Sequence, residues 1–143
     1  MFAEIEQAIL TRLRAKLGPR ITVEPLRELE RVPSLRQRSP AAFVIYDGYQ
    51  PGERIATVPG VQQVVLQWYV VVAARSALGG GESNVARDEA GELSRLVAKA
   101  LLGFSVGPGQ YLRMAAASGA EYDAGYCHIP LAFTCAVTLT GES

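Results

Sequence analysis

Residues 61–76, VQQVVLQWYVVVAARS, keep a period of two over sixteen positions. Successive side chains of a strand point to opposite faces, so this pattern predicts a strand along its whole length. The even positions, Gln62, Val64, Leu66, Trp68, Val70, Val72 and Ala74, are apolar after the first. The odd positions set Gln63, Gln67, Tyr69 and Arg75 among Val61, Val65, Val71 and Ala73. One face therefore belongs to a core, and the other is half polar. Strands usually run about 3–10 residues, so this one is expected to project beyond its sheet or to bend. A projecting half-apolar strand needs a partner to cover it.

The flanking segments say what kind of sheet receives it. Phe2, Ile5, Ile9, Leu13 and Leu17 recur at steps of three and four, with acids early and bases late, until Gly18-Pro19. That is an amphipathic helix aligned with its own dipole. Ile21–Leu26 reads as a short strand, and Ala41–Tyr46 as an interior one. Asp47-Gly48, Pro51-Gly52 and Pro59-Gly60 are expected to hold the chain in loop between them and the long strand. Val85–Leu102 predicts a second helix capped by Ser83 or Asn84, burying Val85, Leu93, Leu96, Val97, Ala100 and Leu101. Phe104–Gln110 reads as loop, Tyr111–Ala117 as a strand, and a turn near Ser118-Gly119 leads to a last strand, Tyr126–Thr140. The final strand alternates, and Pro130 within it calls for an edge position or a nearby bulge. The order α-β-β-β-α-β-β predicts an α+β fold, a mixed or antiparallel sheet with two helices on one face. With 143 residues and no linker, one domain over 1–143 is expected.

Composition removes several function classes. Fourteen basic and fourteen acidic residues leave zero formal charge, which argues against a broad basic nucleic-acid surface and against sequence-specific nucleic-acid binding. It also does little to oppose self-association. The acidic start, MFAEIE, does not read as a secretory signal, and the run Val70–Ala74 is too short to span a bilayer. A soluble protein with no membrane partner is expected. Cys127 and Cys135, eight residues apart on one strand, lie about 26 Å apart at the usual rise, too far for a disulfide. Buried thiols in a reducing compartment are the reading.

No catalytic, cofactor or metal set is legible. His128 is the one histidine and adjoins Cys127, but neighbours on a strand face opposite ways, so no thiol–imidazole pair forms. One histidine and two distant cysteines do not make a zinc site. Gly79-Gly80-Gly81 before a helix invites a phosphate-loop reading, yet Glu82-Ser83-Asn84 follows where a Gly-Lys-Ser/Thr is required. The carboxylates of Asp88, Glu89 and Glu92 sit on an arginine-bearing, solvated face. The unusual surface stretch is 27–40, where Arg27, Arg31, Arg36 and Arg38 stand with two glutamates and two prolines. Arginine is enriched at protein interfaces, so this stretch competes with Gln63, Gln67 and Tyr69 of the mixed face as a protein-contact candidate.

The order of these elements resembles the tail-terminator proteins of Mu-like phages and prophages. The matching pieces are IEQAILTRLRAKL, PAAFVIYDGY, QVVLQWYVVVAARS, the Gly-rich loop, ARDEAGELSRLVAKALLGF and the closing strand. The resemblance implies a small structural subunit, not an enzyme, that forms a homohexameric ring. Such a ring caps the completed tail tube, stops its polymerisation and provides the joint to the head. Its implied partners are copies of itself, the tail tube protein and the head–tail connector proteins. Its implied places are the host cytoplasm during assembly and the virion or tail particle. Another assembly part, such as a head–tail joining or tail-completion protein, fits the same pattern. A small-molecule binding module using the concave sheet face is the competing class.

Overall fold

The first helix, α1 (Phe2–Leu17), carries Glu4 in its first turn and Arg14 and Lys16 in its last. It buries Ile5, Ile9, Leu10 and Leu13. Gly18 ends it with a φ of 82°, a left-handed conformation that glycine adopts without strain. In the computed structural model, which describes residues 2–27, 40–54, 58–75, 83–123 and 126–142, the rest of the chain forms one main sheet, a second helix and a small hairpin.

The sheet strands are β1 (Thr22–Leu26), β2 (Ala41–Arg54), β3 (Val61–Arg75), β6 (Arg113–Ala115), β7 (Glu121–Asp123) and β8 (Tyr126–Thr140). Their order is β1-β2-β3-β8-β6, with β7 also on β8. Only β1 and β2 run parallel; the other pairs are antiparallel. The hairpin is β4 (Ser105–Gly107) with β5 (Gln110–Tyr111). The fold is α+β with a mixed sheet, as the alternation predicted.

The helix-side core takes the even positions of β3, from Val64 to Ala74, and Cys127, Phe133, Cys135 and Val137 of β8. Trp68, Phe43 and Phe133 are among the largest fully buried side chains. The second helix, α2 (Ser83–Leu101), presses Ala86, Ala90, Leu93, Val97, Ala100 and Leu101 on the same face. Val85 and Leu96, expected inside, are instead 50% and 38% exposed. The buried stripe is rotated toward Ala86 and Ala90, whose small side chains let helix and sheet approach closely. The helix also starts at Ser83, so Ser83 and Asn84 stand inside it rather than before it. Arg12 ties the helices together: its Nε donates to the carbonyl of Ala100 (3.0 Å), and its guanidinium lies 4.9 Å from the Phe104 ring centre.

Several expectations about the strands need correction. The long strand does not project alone, because β3 pairs with β8 from Val61↔Thr140 to Arg75↔Tyr126 and with β2 from Ala73↔Ala41 to Gln62↔Arg54. The chain after Asp47 is not loop either. A register shift between Tyr46 and Gly48 leaves Asp47 as an extra residue, Gly48 absorbs it at a φ of 97°, and β2 resumes to Arg54. Asp47-Gly48 is therefore a bulge and not a turn; both call for a residue of positive φ, which is why the two look alike in sequence. Similarly, Phe104–Gln110 is not all loop, since β4 and β5 form there, and β7 adds a short strand that alternation did not signal. Pro130 sits between β6, which pairs with Ala132–Thr134, and β7, which pairs with Tyr126–His128. It therefore occupies a local gap on that side of β8, among the described residues, and its missing N–H costs no ladder bond there.

Candidate assembly interface

Among the described residues one face of the sheet carries no helix, and this helix-free face divides into two halves. Toward the start of β2, Ala41, Phe43, Ile45, Val71, Ala73 and Tyr126 form a second buried apolar cluster, with Leu26 and Tyr69 packed against it. His128 lies beside it, 8% exposed, its ring centre 5.8 Å from that of Tyr126. Its Nε2 is 3.2 Å from Glu121 Oε2 of β7, while its buried Nδ1 has no hydrogen-bond partner among the described residues. Burial lowers the His128 pKa below its ordinary value, and Glu121 works against that shift. Cys127, on the opposite face, belongs to the helix-side core, so the two never meet as a nucleophile pair. Burial raises the pKa of both thiols, Cys127 against a smaller opposing effect of Arg87, and both are free.

Toward the other end the face is polar and open. Gln63, Val65 and Gln67 are half-buried. Gln67 Nε2 donates to Asp47 Oδ2 at 2.9 Å, so the bulged acid is held on this face. Gln62 Nε2 donates to the carbonyls of Gly52 (3.1 Å) and Gln63 (3.0 Å), tying the ends of β2 and β3. A side chain on Gly52 would stand 3.1 Å from the Gln63 carbonyl, so glycine permits that close strand approach. Gly52, Gln63, Val65, Tyr111, Arg113 and Thr134 are among the residues lining a shallow hollow of about 460 Å³. Tyr49 and Tyr111 are 63% and 55% exposed.

The structure thus brings Gln63 and Gln67 onto one open surface with Asp47, Tyr111 and Arg113, and draws Tyr69 toward the apolar cluster instead. Arg27 is exposed just past β1. Arg31, Arg36 and Arg38 lie outside the described residues, as does the Gly79–Gly81 stretch. Asp47 and Arg113 were missed because one was read as a turn and the other lay in a strand of unknown register. Only the pairing Arg113↔Thr134, Thr134↔Gln67 places them on this surface. Among the described residues, no three His, Cys, Asp or Glu side chains gather to hold a metal ion, and no helix is long and apolar enough to cross a membrane.

The family model described as phage tail terminator protein matches residues 2–143. The chain belongs to the phage tail terminator family. No curated protein matches it. The family is one of structural phage tail components. In this tail terminator the open half of the helix-free face is the candidate contact surface.

Proposed function

We propose that this chain, as a single domain, assembles into a homohexameric ring that caps the completed tail tube, stops its polymerisation and offers the head-joining surface. The family match across residues 2–143 carries this reading. The geometry supports it in two ways. A rigid three-stranded core, β2-β3-β8, is braced by two helices on one side. The opposite side leaves a broad, half-polar surface for protein contact, and such mixed character is usual at interfaces between subunits that must also persist alone. Copies of the chain, the tail tube protein and the head–tail connector proteins are the proposed partners. Assembly takes place in the host cytoplasm, and the ring ends in the virion or tail particle.

Gln63 and Gln67 contribute to subunit packing in this scheme, and the Arg27–Arg38 stretch touches a neighbouring ring. Replacing Gln67 with Lys places a charge in the packed face and turns the amide hydrogen bond to Asp47 into an ion pair. Fewer rings by native mass spectrometry are expected, with an unchanged circular dichroism spectrum. Ring formation at the wild-type level would remove Gln67 from the interface. Reversing Arg31 and Arg36 to Glu should leave rings intact and lower the fraction of tails joined to heads, scored by electron microscopy. Normal joining would end the role of that stretch.

A further inference from the structure

The open face has a polarity that specifies how copies meet. One row crosses it in register: Arg113 on β6 pairs with Thr134 on β8, Thr134 with Gln67 on β3, and Gln67 with Gly48 on β2 beside the bulged Asp47. An arginine therefore ends the row on one side and an aspartate on the other. At about 4.8 Å between strands, the two lie on the order of 14 Å apart. That exceeds the Debye length of about 8 Å at physiological salt, so they do not pair within one copy. Both are exposed, and Arg113 makes no ion pair among the described residues.

The strand pairing also stops at the same two borders. β6 pairs with β8 only as far as Thr134, and among the described residues no strand is hydrogen-bonded to Cys135–Thr140 on that side, although β5 lies alongside. β1 pairs with β2 only to Ile45, so among the described residues no strand pairs with Tyr46–Arg54 on that side. The β8 border, CAVTLT, carries no charge and no proline, the devices that usually keep an edge from pairing. The sheet also tapers from five strands level with Tyr69, counting Leu26, Ile45, Ala132 and Ala115, to three level with Val64. Two unlike borders of opposite charge on a tapering body suit a head-to-tail contact, the kind that closes into a ring.

We infer that neighbouring copies meet border to border, the Arg113 and Cys135–Thr140 side of one copy docking on the Asp47 side of β2 in the next. This rests on the ring reading above and gives it a direction. Each copy presents both borders, so every junction holds one Arg113–Asp47 pair.

The test is a charge swap in the full chain: Arg113→Asp, Asp47→Arg, both together, and an equimolar mixture of the two single variants. Oligomer mass is followed over a concentration series by sedimentation velocity, and tail length is measured when each allele replaces the native gene. Each single variant makes every junction like-charged, so half-assembly should need at least roughly tenfold more protein, and tails should be over-long. The double variant and the mixture restore opposite charges at every junction and should recover both readouts. Asp47→Asn keeps an acceptor for Gln67 and should give an intermediate defect, separating the charge from that hydrogen bond. Single variants that assemble and terminate like wild type, or a double variant worse than either single, would overturn the inference. A wild-type species that stops at a two-fold dimer would overturn it as well. Should the protein stay monomeric in solution, tail lengths across the allele series decide. The terminator reading fails separately, if loss of the gene leaves tails unchanged while the swap still governs oligomer mass.

Discussion

His128 is nearly buried between Tyr126 and Glu121, with one ring nitrogen unpaired among the described residues. Its position on the face opposite Cys127 was legible from strand alternation alone, whereas its burial was not, because β7 carries no signal in its short sequence. Burial lowers its pKa in the folded chain, so the unfolded chain binds the proton more readily. The histidine's contribution to stability is therefore fully present above its unfolded pKa of about 6.5 and is lost as pH falls toward the folded value. Urea midpoints should drop below pH 6.5 in the wild type, and His128→Asn should flatten that slope. An unaltered slope in the variant would assign the pH dependence to other groups. Trp68 presents a related case: it is fully buried against the ring of Tyr46 at 5.1 Å, with its indole N–H unpaired among the described residues. Trp68→Ala should cost about 3–5 kcal/mol in equilibrium unfolding. Trp68→Phe should cost clearly less, since it keeps an aromatic ring and removes the orphaned donor.

At the scale of elements, the periodic segments were readable and the irregular ones were not. α1, β3 and β8 follow from spacing because each buries one stripe or one face over many residues. β2 was cut short at Asp47-Gly48 because a bulge and a turn both call for a residue of positive φ, and only the long-range pairing with β3 tells them apart. Gly48→Ala should therefore destabilise by about 1–2 kcal/mol through its left-handed backbone, measured by chemical denaturation. A neutral effect would mean the bulge relaxes. α2 offers the opposite test. Gly91 lies in its interior, and an added Cβ there meets nothing within 4 Å. Gly91→Ala should stabilise the protein by about 0.5–1 kcal/mol, read as a higher melting temperature with no change in assembly. The true buried stripe of α2 was misjudged at Val85 and Leu96 because alanines, which carry a weak hydrophobic signal, are what the sheet packs against.

At the scale of the whole molecule, the fold class and the family were legible together, since both rest on the order and periodicity of elements. The contact surface was half legible. The mixed face of β3 declared Gln63 and Gln67, but the charges that end their row come from β2 and β6, and no local pattern joins Asp47 to Arg113. In the proposed ring, a structural subunit with a braced ribbon and a polarised face limits tail growth. Electron microscopy of particles from a strain lacking this gene, with tail lengths set against the parent, is the decisive experiment. Tubes that are over-long or uncapped and not joined to heads are expected. Tails of normal length that still carry heads would overturn the terminator role.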